Sequence, residues 1–184
     1  SSVLYLVCFL RSRPLRDLPP FPTRRSSDLL GNPKLKGSAV YYPDIQSFSV
    51  WSAGRNMWFD SDQAGYLWRK MTGDFILTAR AEFMHKGGEP HKKFGCMVRN
   101  TLDSNAVHLN ISIHGDGLAA IQYRKTPGGE TEERRFDTRG PDIFQLEKKG
   151  NLYIFSVARF GELFISDTIQ ADFIDPAFYA GLFV

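Results

Sequence analysis

Cysteine is scarce in this chain. Two in 184 residues, Cys8 and Cys96, are too few for a disulfide-dense scaffold or a Cys-rich zinc site. No apolar run reaches the roughly 18–20 residues that a membrane helix needs, so insertion into a membrane is not expected. Helical periodicity is almost absent, and no stretch repeats at a period of 20–50 residues, which argues against a propeller or solenoid. Charge of one sign is also missing from most of the chain. Of 23 basic and 20 acidic residues, five Arg and two Asp lie in the first 29 positions, leaving eighteen of each in residues 30–184. A balanced domain has no electrostatic footprint for nucleic acid or an anionic membrane.

The first 29 residues stand apart in a second way. Phe21–Leu29, FPTRRSSDL, resembles the in-frame translation of a common sequencing adapter. Residues 1–29 are therefore read as a non-native or disordered head and left out of fold reasoning. The rival reading takes SSVLYLVCFL as the remains of a signal-peptide apolar region. Against it, the run has no initiator Met, no basic segment before it and no small-residue cleavage site after it. At the other end the chain stops inside the apolar run AGLFV, which suggests truncation. Residues 30–184 are expected to form a single β-sandwich domain.

What is present is ordinary globular composition, 42% hydrophobic and 23% charged, with an unusual share of aromatics at 14%. From Gly37 onward short alternating segments are punctuated by turns. Candidate strands are Ser38–Tyr42, Ser47–Ser52, Asn56–Phe59, Gly65–Met71, Phe75–Phe83, Phe94–Thr101, Val107–His114, Leu118–Lys125, Glu130–Phe136, Ile143–Lys148, Leu152–Phe160, Leu163–Thr168 and Phe178–Val184. Gly-containing turns separate many of them, among them Gly115-Asp116-Gly117 and Pro127-Gly128-Gly129. The pattern predicts an all-β, antiparallel two-sheet sandwich of the jelly-roll kind, with a closed barrel as the runner-up.

Strand periodicity sorts the side chains into two faces. Val107, Leu109, Ile111 and Ile113 share one face, and His108, Asn110, Ser112 and His114 share the other. Extending the alternation to the neighbouring strands adds Arg99, Gln122 and Arg124 to the polar side. The bland account is the wet face of a half-exposed sheet. The sharper one notes that amides, imidazoles and guanidiniums bond vicinal hydroxyls well, and that a Trp can stack on a sugar ring. Trp58 or Trp68 would be that platform, although Trp51, Trp58 and Trp68 would equally serve a core.

Signatures of chemistry are few. His108 and His114 lie six residues apart on a strand, ~20 Å, too far to share an ion. His85 and His91 flank the loop KGGEP and read as loop residues. Cys96 falls on the apolar face, where a thiol acts as a small hydrophobe. The GDG at Gly115–Gly117 lacks the spacing and the helix of a dinucleotide site. Glu130, Glu132 and Glu133 cluster after a Gly-Gly turn, with Glu130 and Glu132 ~7 Å apart on one strand face, a glycosidase-like spacing. The neighbouring Arg134 and Arg135 make a charged edge strand the simpler account. Glu147 is a further carboxylate that could face the polar sheet.

Several segments together carry a resemblance: Leu67–Phe83, Pro90–Asp103, His114–Lys125, Thr131–Glu133 and Gln145–Glu162. Their order and spacing resemble a poorly characterised bacterial domain family of the concanavalin A-like lectin/glucanase superfamily, over about residues 31–184. Relatives of this kind often lie beside TolB-like propellers. The resemblance implies a jelly roll, export to the periplasm, cell surface or medium, and carbohydrate as the ligand class. Its recurring polar positions would match Arg99, His114, Asp116, Arg124, Glu132 and Glu147. The glucanase strand E-x-D-x-x-E is absent, which counts against hydrolysis of that type.

The expectation is a non-catalytic carbohydrate-binding module of a larger exported bacterial protein, with a glycan or oligosaccharide as partner. Its candidate ligand residues are Arg99, His108, Asn110, His114, Gln122, Arg124, Glu132, Glu147, Trp58 and Trp68. One alternative is a glycan-active enzyme pairing Glu132 or Glu147 with His114. Another is a structural accessory domain packed on an adjacent propeller. No cofactor is implied, and calcium, common in sandwich lectins, has no clear ligand cluster here.

Overall fold

Alternating apolar residues bounded by tight turns can bury one face only by pairing into sheets and stacking them. A computed structural model of the chain, which describes residues 2–12, 27–31, 37–45, 47–54, 56–84 and 87–184, shows that outcome. The strands are β1 (Ser2–Ser12), β2 (Ser27–Leu30), β3 (Ser38–Tyr42), β4 (Ser47–Ser52), β5 (Ala64–Thr72), β6 (Phe75–Phe83) and β7 (Lys93–Arg99). They continue as β8 (His108–His114), β9 (Leu118–Arg124), β10 (Glu132–Arg139), β11 (Ile143–Lys149), β12 (Leu152–Ala158), β13 (Ile165–Gln170) and β14 (Ala177–Phe183). A 3-10 turn at Pro43–Ile45 is the one helical element among the described residues.

All strand pairs are antiparallel. Residues 64–183 supply a front sheet in the order β10-β9-β8-β7-β14-β5 and a back sheet in the order β13-β12-β11-β6. β2 extends the front sheet beyond β5, and β1, β4 and β3 extend the back sheet beyond β6. Strand backbone of residues 2–12 and 27–30 accounts for β1 and β2 in these extensions. Ser2–Ser12 pairs with β6 on one side and β4 on the other. Its run of Val, Leu, Tyr and Phe has high β propensity, and open strand edges accept any such segment.

The main core lies between the sheets. Phe94, Cys96, Val98, Leu109, Ile111 and Ile113 from the front sheet meet Phe75, Leu77, Phe144, Leu146, Phe155 and Val157 from the back. Phe94 packs on Phe144 across the gap, ring centroids 5.9 Å apart. At ~25 cal/mol per Å2 of apolar surface removed from water, such residues supply the driving force for stacking the sheets.

Twelve of the thirteen expected strands form, with ends displaced by up to three residues. Asn56–Phe59 does not. It belongs to an irregular segment, residues 56–63, that crosses the outer face of the front sheet and holds one isolated bridge, Met57–Asp62. Its apolar residues have a different destination. Met57 is buried with Leu30, Ala64, Tyr66, Met97 and Phe183 in a second cluster. That cluster lies on the face that a simple sandwich leaves wet.

Candidate functional site

The polar face anticipated from the alternation exists, but most of it is sealed. His108, Asn110, Ser112 and Gln122, with Arg99 and Arg124, show no exposed surface. The cover is the 56–63 segment, and its keystone is Asp62, itself fully buried. Arg124 grips the Asp62 carboxylate through two nitrogens, Nη2 to Oδ1 at 2.9 Å and Nη1 to Oδ2 at 3.1 Å. Arg99 Nη1 lies 3.3 Å from Oδ2. Two cations about one buried carboxylate leave a surplus of positive charge, which backbone carbonyls offset. Arg124 also donates to Phe59, Ala106 and Gly129, and Arg99 donates to Thr101 and Asp103. These guanidiniums hold the cover segment and the neighbouring turns to the sheet.

From Asp62 a polar row runs along the face. His108 Nε2 stands 3.9 Å from Asp62 Oδ1, beyond hydrogen-bond reach, and His108 Nδ1 is 3.3 Å from Asn110 Nδ2. Ser112 Oγ lies 2.7 Å from Asn110 Oδ1 and 3.0 Å from Gln122 Oε1, dividing its single proton between them. Gln122 Nε2 donates to Glu133 Oε2 at 2.8 Å. Burial pushes the His108 imidazole down to about 3, so it is neutral at pH 7.

The row ends where the cover ends, in an open cleft of about 260 Å3 lined by Asn56, Trp58, His91, Lys93, His114, Leu118, Gln122, Glu133 and Arg135. A second hollow of about 300 Å3 adjoins it, sharing Asn56, His91 and Lys93. Strand register builds the floor. Lys93 on β7 stands directly opposite His114 on β8, and Gln122 on β9 directly opposite Glu133 on β10. Lys93 Nζ reaches across β8 to donate to Gln122 Oε1 at 3.3 Å. The β8–β9 hairpin that sets this register turns at Gly117, whose φ of +87° suits glycine. There Leu118 N donates to Asp116 Oδ1 at 3.0 Å.

Three groups in the cleft are perturbed. The Lys93 ammonium is lowered to about 8 by burial, with Glu133 and Asp62 opposing the shift. Burial lowers the His114 imidazole to about 4, with the Lys93 charge adding to the effect. Burial raises the Glu133 carboxyl, but hydrogen bonds from Arg135 and Gln122 outweigh it and hold the group low. At neutral pH the cleft therefore offers an ammonium, a neutral imidazole, an amide and a carboxylate. His114 is over nine-tenths buried, and neither of its ring nitrogens has a hydrogen-bond partner among the described residues. Buried polar atoms are rarely left so, and the exceptions call for a reason.

Trp58, His114 and Gln122 are the sequence-derived candidates that reach this cleft. Arg99, His108, Asn110 and Arg124 share the face but lie beneath the cover, their polar atoms turned to the protein. Trp68 packs edge-on against Tyr179 beside the second cluster. Glu132 is exposed on the opposite side of β10, paired with Lys125 at 2.8 Å. Glu147 belongs to β11 in the other sheet and pairs with Lys149 at 3.0 Å. Neither carboxylate approaches His114, because β10 pairs with β9 in the register that turns Glu133 to the cleft. His91 is exposed, as expected of a loop residue, and His85 falls outside the described residues. No group of three or more potential metal ligands occurs among the described residues.

Sequence reasoning missed Lys93, Glu133 and Asp62. Lys93 was within reach, since carrying the β7 alternation one residue earlier puts it on the face of Met97 and Arg99. Glu133 needed the β9–β10 register, and no local pattern marks Asp62. Comparisons with known proteins add nothing to this picture: no family model, no curated protein and no solved structure matches the chain.

Proposed function

We propose that the cleft binds a saccharide, and that the protein is a non-catalytic carbohydrate-binding module of a larger exported bacterial protein. The observation that carries the reading is His114, a neutral imidazole in the cleft wall whose two buried nitrogens have no partner among the described residues, which leaves one donor and one acceptor unmatched beside the cleft. A vicinal diol offers the complementary pair. Gln122 and Glu133 add a further amide and carboxylate, and half-buried Trp58 supplies a ring for stacking. The resemblance to concanavalin A-like domains supports the same ligand class, and implies a propeller domain as neighbour. Binding is favoured over turnover because Glu133 is held ionised by Arg135 and Gln122, whereas a glycosidase acid needs a carboxyl raised by its surroundings.

The test is a glycan array probed with the full chain and with His114→Ala. The expected result is a defined set of bound glycans for the parent and none for a variant that a melting curve shows still folded, since losing the unsatisfied polar ring offsets part of the cavity it leaves. Binding that survives in the variant would place the site elsewhere. A blank array would favour the accessory-domain reading, for which one observation speaks. Phe160, Leu163, Phe164 and Ile165 are exposed around the β12–β13 turn, Leu163 at 92%.

A further inference from the structure

Lys93 narrows the chemistry of the ligand. Resting on the saccharide reading, we infer that the bound sugar carries a carboxylate, as a uronic acid does, and that this carboxylate seats against Lys93 Nζ beside the His114 ring. The argument is one of unmatched charge. Lys93 is nine-tenths buried, and among the described residues its amine makes one hydrogen bond, the 3.3 Å contact to a neutral amide oxygen. A buried ammonium with so little compensation is costly unless an anion joins it.

The carboxylates around it are committed elsewhere. Glu133 Oε1 accepts from Arg135 Nε at 2.7 Å and its Oε2 from Gln122. Glu89, in the 87–92 turn, accepts from the His91 backbone at 3.2 Å. Asp62 is held between Arg99 and Arg124 at the far end of the row. A sugar with hydroxyls alone would bring Lys93 dipoles, not charge. A carboxylate brings one oxygen to the ammonium and leaves the other for an N–H of His114, whose ring is set 6.1 Å from that of His91.

The pairing has a pH signature with a fixed sign. The free amine is held near 8, and an anion beside it raises that value. Binding then takes up a proton between the two values, and the preference for an acidic sugar weakens as pH climbs through and above 8. His114 stays neutral across that range, and Glu133, held low by Arg135 and Gln122, stays ionised. The other charged or titratable groups nearby are His91 and Arg135 in the cleft, Glu89 in the adjoining turn and Asp62 at the far end of the row.

The experiment is a ligand-detected NMR titration of the full chain with glucuronate and galacturonate against glucose and galactose at pH 7 and pH 9.5. The same series is run on Lys93→Met, which removes a buried charge and so keeps the fold, as a melting curve would verify. The expected result is acidic sugars bound about tenfold or more tightly than neutral ones at pH 7. That preference shrinks at pH 9.5 and vanishes in Lys93→Met, for which acidic and neutral sugars no longer differ. Equal affinity for both kinds would overturn the carboxylate inference and leave the saccharide reading standing. Acetate or propionate competing as well as the uronates would overturn the saccharide reading and keep carboxylate recognition. Binding of none of them would overturn both.

Discussion

Asp62 has no exposed surface, yet its carboxylate is the contact point between two buried arginines and the chain segment that covers them. A buried ion pair contributes little relative to an apolar isostere, because desolvating the charges consumes most of the Coulomb gain. Removing one partner is another matter, since it strands the rest. Asp62→Ala and Asp62→Asn would each leave two guanidiniums facing one another without a counter-charge. The expected loss is about 3–5 kcal/mol in urea unfolding. A loss below about 1 kcal/mol would mean that the backbone carbonyls alone hold Arg99 and Arg124. None of this was visible from residue identities. Arg99 and Arg124 were legible as members of one face, but whether a polar face meets water, a ligand or another part of the chain depends on what crosses it.

At the scale of the element, strand alternation was the strongest signal in the chain. The pattern of Val107–His114, four apolar residues against four polar ones, assigned both faces of the central strands. The failures occurred where an element does not obey its own composition. Asn56–Phe59, with Met, Trp and Phe, has the residues of a strand, but Met57 is buried on the outer face against Tyr66, Met97 and Phe183 while Trp58 lines the cleft and Phe59 is exposed. Gly95 in β7 shows how closely that face is built. A Cβ there would run into the carbonyl oxygen of Ile111 on β8 and crowd the Phe183 ring. Gly95→Ala is expected to cost about 1–3 kcal/mol, or more if β7 and β8 must part. It should also weaken ligand binding, since the β7–β8 register puts Lys93 opposite His114. Chemical denaturation measures the first effect, and the second follows from the NMR titration. A variant that keeps full stability would show that the strands yield freely at this point.

For the whole molecule, the buried polar groups shape how stability depends on pH. His108 and His114, lowered to about 3 and about 4, are neutral in the folded state where the unfolded chain protonates them near 6.5. Unfolding therefore takes up protons below pH 6.5, and stability falls as pH drops from there toward 4. Each histidine contributes about 2 kcal/mol of that loss at pH 5. Lys93 acts at the other end. Its folded value near 8 lies below the 10.5 of the free side chain, so its contribution rises with pH between those limits. Urea midpoints measured from pH 4 to pH 10.5 should show an acid fall, a level stretch from 6.5 to 8, and an alkaline rise from these groups. His114→Gln should shrink the acid fall and Lys93→Met should flatten the alkaline rise. Unchanged limbs in those variants would assign the pH dependence to other residues.

The sequence by itself determined the class of fold, because period-two alternation and glycine turns specify a sheet strand by strand. Both faces of each central strand follow from that period. It also determined which residue types the polar face would hold, including His114 and Gln122. The tertiary structure decided which of them meet solvent. Asp62 lies 37 positions from Arg99 and 62 from Arg124 along the chain, and its meeting with them closes the cover over one part of the face. Where the cover ends, Lys93, His114, Gln122 and Glu133 from four adjacent strands are left lining a cleft. Contacts over such separations depend on packing and register across the sheet, which no local window of sequence contains.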